Sequence, residues 1–193
     1  METTLILVRH GESQANLEGR FTRHDDEPLT PLGLEQARAT GRRLRELYQP
    51  VALYASPFAR ARDTAREIGA FFELEPEVVR ELHEQSFGEL RGRVYAEYYP
   101  LIAAVAALDR WHHRAPGGES LAEVGARVGP ALDLIADRHP GEQVIVVSHG
   151  GVMAALRSWV AGNFDRPPES TENAGGYRLL RTMKGYRGPI PLF

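Results

Sequence analysis

Cysteine is absent from the 193 residues. That removes disulfide scaffolds, thiolate zinc sites, iron–sulfur clusters and cysteine nucleophiles together, and leaves the redox compartment unspecified. Lysine is nearly absent: of 23 Lys+Arg residues, only Lys184 is a lysine. Walker loops need Gly-Lys, Schiff-base enzymes a free lysine and kinases a strand lysine. Met183-Lys184-Gly185, near the C-terminus, fits none of these. Long apolar runs are missing too. Leu101 to Leu108 is too short to span a bilayer, and Leu5-Ile6-Leu7-Val8 lacks the length and basic flank of a signal peptide, so a cytoplasmic location is expected. Charge of one sign is also lacking. A net charge of −3 gives no general attraction to phosphate backbones or anionic lipid, so neither nucleic acid nor membrane is an expected partner.

What is present is globular. Hydrophobic residues at 42% and charged residues at 25% match a soluble domain that buries its own core, and the length suits one domain spanning residues 1–193. Leu5 to Val8 reads as a buried strand that delivers Arg9-His10-Gly11 at its carboxyl end. Glu12 to Pro28 has no period and reads as a long functional loop. Thr30 and Pro31 then open a helix with Leu34, Ala37, Gly41, Leu44 and Tyr48 on one face, stopped by Pro50.

Val51 to Ala55 is a second strand, closed by Ser56-Pro57 and followed by a helix with Ala61, Ala65, Ile68 and Phe72 on its stripe and Arg60 in its first turn. A third strand is expected around Glu77-Val78-Val79, then an irregular stretch from Leu82 to Gly92, then a helix carrying Leu101, Ile102, Val105 and Leu108. Ser120 and Glu123 form a capping box for a helix that Gly129-Pro130 should kink. Val144 to Val147 is the clearest buried strand, ending in Ser148-His149-Gly150-Gly151 and leading into a helix from Val152 to Ala161. One last strand is expected from Tyr177 to Leu180. Alternating strands and helices predict a three-layer α/β/α sandwich around a mainly parallel sheet.

Two strands thus end in a histidine beside small residues, and in a parallel sheet His10 and His149 emerge along one edge, where open α/β sheets place their ligands. Arg9 accompanies His10, Arg60 begins the helix after the second strand, and Glu84 comes from another connection. Guanidinium forks suit phosphate or carboxylate oxygens. Two histidines, two arginines and one carboxylate describe a phosphoryl-transfer site that uses no metal and no cofactor.

Six motifs then resemble one family, the histidine phosphatases of the phosphoglycerate-mutase-like superfamily. They are Leu7-Val8-Arg9-His10-Gly11-Glu12, Asn16 with Gly19-Arg20, Pro28 to Gly33 with Gln36-Ala37, Ser56 to Ala61 with Thr64-Ala65, Leu82-His83-Glu84 with Phe87-Gly88 and Gly92, and the pair Pro116 to Ser120 and Val147 to Gly151. The resemblance runs from about Leu5 to Asn173. It implies that His10 is the nucleophile and becomes a phosphohistidine, and that Arg9, Arg60 and His149 hold the phosphoryl oxygens. Asn16, Thr22, Arg23 and Gly150 complete the substrate grip, and Glu84 acts as general acid on the leaving oxygen and then as base for water. The expected partner is a small phosphorylated metabolite. The phosphatase branch fits better than a cofactor-dependent mutase, because Gly92 to Pro116 is a short cover and a mutase must shield its phosphohistidine from water. A phospholigand-binding relative without catalysis is the other alternative.

The chain departs from the family pattern at Thr22-Arg23-His24, where many members have a glycine, and at Leu90, where tryptophan is frequent. Residues 93–118 read as a lid and specificity segment. His24, Arg91, Arg93, Tyr95, Arg110 and Arg114, with Arg23, are candidates to read the substrate beyond its phosphate. His112-His113 reads as lid or surface, because adjacent residues diverge and no His-Glu-x-x-His pattern is present. Arg42, Arg43, Arg45, Arg62 and Arg66 read as solvated helix faces. Taken alone, Arg60 would be a surface residue paired with Asp63 or Glu67, and Glu84 a solvated loop carboxylate. Whether the chain is a monomer or a homodimer is left open by the sequence.

Overall fold

The computed structural model describes residues 2–98, 105–106, 109–163 and 168–193. The strands are β1 (Thr3–Arg9), β2 (Ala52–Ala55), β3 (Glu77–Val78), β4 (Gln143–Ser148), β5 (Gly176–Thr182) and β6 (Gly185–Pro191). They form one sheet in the order β3-β2-β4-β1-β5-β6. The first four run parallel, and β5 and β6 are added antiparallel as a hairpin. The described helices are α1 (Gln14–Leu17), α2 (Pro31–Leu47), α3 (Ala59–Gly69), α4 (Leu121–Arg138) and α5 (Gly150–Ala161).

Strand alternation builds the layers. Leu5, Leu7, Val144 and Val146 pack on one face against Val124, Val128 and Leu132 of α4 and Val152, Met153 and Leu156 of α5. Ile6, Val8, Ile145 and Val147 face the other way, onto Leu44 of α2 and Ala61, Ala65 and Ile68 of α3. With both faces covered, β2 and the middles of β1 and β4 are apolar, whereas the two-residue edge strand β3 is exposed. This is the expected α/β/α sandwich.

The chain leaves β1 toward α2 on one face and leaves β4 toward α5 on the other, so these neighbouring strands flank the topological switch point. Their register pairs Arg9 with Ser148. The next residues, His10 and His149, therefore leave the sheet side by side.

Three expectations meet a different outcome or fall outside the described residues. The tail is two strands rather than one. Part of the Glu12–Pro28 loop is α1, closed by a capping box of Ser13 and Asn16. Pro130 sits inside α4, which runs on to Arg138. Beside it the Trp159 ring lies where a Cβ at Gly129 would stand, 2.1 Å from Cε2, so α5 packs directly against the α4 backbone. The helix expected over Leu101, Ile102, Val105 and Leu108 lies, apart from Val105, outside the described residues. No helix among the described residues is long and apolar enough to cross a membrane.

Candidate active site

His10 is 2% exposed and fixed through its backbone. Its N–H donates to Ser148 O at 2.9 Å, and its carbonyl accepts from Ala174 N and from Asn173 Nδ2, both at 3.1 Å. Ring Nδ1 lies 2.7 Å from Gly11 O, a partner that can only accept, so the proton is on Nδ1. Nε2 therefore carries the lone pair, and Arg60 Nε donates to it at 3.2 Å. Burial, then Arg60, then Arg9 hold this imidazole well below the ordinary histidine pKa of 6.5, so it is neutral. Gly11 is needed because a Cβ there would stand 2.3 Å from Gly33 O, where the end of β1 meets α2.

Arg60 is 1% exposed, and Asp63 and Glu67 bind Arg66 and Arg38 instead. The solvated-helix reading of Arg60 fails on both counts. Burial draws its guanidinium below the ordinary value against the opposing pull of Glu84, and its Cζ sits 5.2 Å from the Phe58 ring centroid. Arg9 is anchored by Nη1 on Thr171 O at 2.6 Å. Gly150 lies against the Arg9 guanidinium, with a built Cβ 3.3 Å from Nε.

His149, fully buried, packs its ring 5.1 Å from that of His10. Burial, followed by Arg60, holds it neutral as well. Its Nε2 is 2.6 Å from Ser56 Oγ, which also accepts from Phe58 N at 3.3 Å. With the hydroxyl donating to Nε2, the imidazole proton sits on Nδ1, the tautomer that offers a donor to the site.

Three buried nitrogens of this cluster, Arg9 Nε, Arg60 Nη1 and His149 Nδ1, have no hydrogen-bond partner among the described residues. Donors buried unpaired around one point are the signature of an oxyanion site. Glu84, 9% exposed, closes the far side. Its Oε1 accepts from Gln85 N at 2.9 Å and Gly151 N at 3.1 Å. A Cβ at Gly151 would stand 2.7 Å from that oxygen, which explains the second glycine after His149.

One ligand atom each from His10, Glu84 and His149 lies within 4.8 Å of the others, a span that a metal ion could bridge. The two guanidiniums in the same volume repel a cation and attract an anion, and His10 already spends Nδ1 on Gly11. The donor set suits phosphate.

The site opens into a cavity of about 450 Å³ whose lining includes Thr22, Phe58, Arg60, His83, Glu84 and Arg91. Asn16 stands beside His10 through Asn173 Nδ2, which donates to both His10 O and Asn16 Oδ1 at 3.1 Å. Arg23 does not line that cavity; its backbone N–H donates to Glu27 Oε1 at 2.6 Å, and it is exposed. His24 likewise gives its N–H to Glu27. Arg91 lines the cavity and pairs with Asp25 at 2.8 Å.

Of the expected lid, residues 99–104 and 107–108 lie outside the described residues. Arg110 and His113 line a second cavity of about 210 Å³ that shares Gln85, Ser86 and Phe87 with the first. Tyr95 meets the Phe21 ring edge-on, whereas Arg93 pairs with Glu97, and Arg114 pairs with Glu123 near His112. Among the five solvated-face arginines, Arg62 is half-buried and its Nε has no hydrogen-bond partner among the described residues. Sequence reasoning did not single out Ser56, Thr171 or Asn173, which hold site residues by hydrogen bonds across the fold, one each from Ser56 and Thr171 and two from Asn173.

Residues 5–178 match the family model of the histidine phosphatase superfamily (branch 1). The chain is 39% identical over 160 residues to the metal-independent phosphoserine phosphatase of Arabidopsis thaliana, covering 80% of this chain and 67% of that one. It is 33% identical over 180 residues to the 2,3-bisphosphoglycerate-dependent phosphoglycerate mutase of Rhizobium etli, covering 82% and 80%. The mycobacterial glucosyl-3-phosphoglycerate phosphatase in complex with VO3 superposes with a TM-score of 0.85 at 27% identity, over 95% of this chain and 96% of that one. Fold, motif order and these matches agree, and the chain belongs to branch 1 of the histidine phosphatase superfamily.

Proposed function

We propose that this phosphoric monoester hydrolase cleaves a small organic phosphomonoester without a metal, through a phosphohistidine on His10 and with Glu84 as proton donor. The observation that carries the reading is the state of His10, a neutral imidazole with Nδ1–H tied to Gly11 and its Nε2 lone pair against Arg60. A nucleophile in line with phosphorus needs that tautomer.

Arg9, Arg60 and His149 take the phosphoryl oxygens, where charge spreads in the loose transition state, with Asn16, Thr22 and Gly150 around them. His10 Nε2 forms the N–P bond as the ester O–P bond breaks, and Glu84 gives its proton to the leaving oxygen, releasing the alcohol. Glu84, now a carboxylate, takes a proton from water as the water oxygen attacks phosphorus. The N–P bond breaks, inorganic phosphate leaves, and His10 and Glu84 return to their starting states. The preorganised donors do most of the work, because phosphoryl transfer asks mainly for positioning and charge stabilisation.

The test is phosphate release from a panel of sugar phosphates, phosphoserine, phosphoglycerates and a ribazole phosphate, with chelator present, in wild type and His10→Ala. Release that survives the chelator and vanishes in the variant is the expected result. Loss of release on chelation overturns the metal-free reading. Exchange between 2- and 3-phosphoglycerate after priming with bisphosphoglycerate, with little release, would make the chain a mutase.

A further inference from the structure

The backbone that carries Glu84 has little secondary structure of its own. Arg80–Leu82 is a single 3₁₀ turn, and residues 83–87 are neither helix nor strand. Its shape depends on what grips it. Arg127, in the middle of α4, donates from Nη1 to the carbonyls of Glu81 at 2.5 Å and His83 at 3.1 Å, and from Nη2 to that of Glu84 at 3.5 Å. The same guanidinium forks onto Glu119, with Nε 3.0 Å and Nη2 2.9 Å from its carboxylate oxygens.

Glu119 holds the other side of the segment. Its carboxylate accepts from Ser86 N at 2.9 Å, its carbonyl accepts from Gln85 Nε2 at 2.7 Å, and its own N–H donates to Ser86 O at 2.8 Å. The pair is partly sealed, with side chains 18% and 24% exposed, against 57% and 51% for the pair that Arg138, at the end of α4, makes with Glu77 of β3. Burial pushes the Glu119 carboxyl up, but the bonds from Arg127 and Ser86 more than offset it and leave it below the usual range. Charge-assisted bonds in this setting fix geometry in a way that an exposed pair does not.

We infer that Arg127, braced by Glu119, is a positioning residue for the proton donor: it fixes residues 81–86 so that Glu84 stays on the N–H groups of Gln85 and Gly151, facing His10. This rests on the reading of Glu84 as the donor. Arg127 does not itself meet the phosphate, because its hydrogen bonds go to the backbone of the acid segment and to Glu119. A lysine could reach one or two of these acceptors but could not fork across them all.

The experiment compares kcat/KM for p-nitrophenyl phosphate, whose leaving group needs little protonation, with that for phenyl phosphate, whose leaving group needs more. The variants are Arg127→Met, Arg127→Lys, Glu119→Gln, Glu84→Gln and the double Arg127→Met/Glu84→Gln. Arg127→Met is expected to lose about 10–100-fold on phenyl phosphate and less than about threefold on p-nitrophenyl phosphate. Glu119→Gln and Arg127→Lys should follow the same pattern to a smaller extent. In the double variant the Arg127 substitution should add almost nothing to the loss from Glu84→Gln.

Equal losses on both substrates, or additive losses in the double variant, overturn the inference and leave Arg127 a folding residue only. If Arg127→Met does not fold, Glu119→Gln decides by the same ratio. If Glu84→Gln itself shows no preference between the substrates, the proton-donor reading fails first and the inference falls with it.

Discussion

The two ends of the central sheet both carry histidine, yet they are built on opposite rules. At the amino ends of β1 and β4, His139 is closed on both sides, with Nε2 2.9 Å from the Tyr54 hydroxyl and Nδ1 3.0 Å from Glu142. Thr3 Oγ1 seals its carbonyl at 2.8 Å. At the carboxyl ends, His10 and His149 sit with two guanidiniums whose buried nitrogens are partly unpaired. The first end is satisfied and serves the fold. The second concentrates like charge and unspent donors, an arrangement that an oxyanion would relieve. Polar residues at a strand end thus become informative only once their partners are counted.

Breaking the carboxyl-end cluster should cost activity, and breaking the amino end should cost stability. His10→Ala is expected to lower phosphate release by at least about 10⁴-fold, read by steady-state assay. Next, Arg60→Met should lower kcat/KM by about 10²–10³-fold, while raising the melting temperature, because an apolar side chain of similar volume replaces a buried cation. A fall in melting temperature would show that Arg60 is structural.

The pH dependence follows from the two depressed imidazoles. In the folded protein His10 and His149 stay neutral below pH 6.5, where the unfolded chain takes up protons. More protons bind the unfolded state, so stability is lost as pH falls from 6.5 toward the lowered folded values and is independent of these groups above it. The slope should be on the order of 1 kcal/mol per pH unit for each imidazole. Denaturant midpoints across that window should flatten in His10→Gln. For the same reason the acid limb of kcat/KM, corrected for substrate ionisation, should have its midpoint below 6.5; a midpoint at or above that value would mean that His10 is charged in the free enzyme. The smallest effect belongs to the satisfied end. His139→Ala should cost about 1 kcal/mol in denaturation and leave turnover within about twofold.

The same contrast explains what the sequence disclosed. β1, β2 and β4 were legible as apolar runs, and His10 and His149 because each ends such a run. β6 was not, since Gly185-Tyr186-Arg187-Gly188-Pro189-Ile190-Pro191 carries two prolines, which an edge strand tolerates and a strand pattern does not advertise. α1 has four residues and only its Ser13–Asn16 cap to announce it. In the site, Arg60 and Glu84 were candidates from their places after β2 and in the next connection, and the motif resemblance strengthened both, because neither shows its burial in local spacing. Ser56, Thr171, Asn173 and Arg127 act through contacts across the fold, Ser56 with His149 93 residues away and Arg9 with Thr171 162 residues away. No local pattern encodes such contacts, although Ser56 and Asn173 lie in or at the edge of the recognised motifs.

The central claim is that His10 becomes phosphorylated, and the direct measurement is to quench the enzyme during turnover of a radiolabelled monoester and map the label. The account predicts a phosphoprotein that is labile in acid and stable in alkali, with the label on the peptide containing His10 and absent from His10→Ala. Label on another residue, or full turnover with no labelled protein at any quench time, would contradict it.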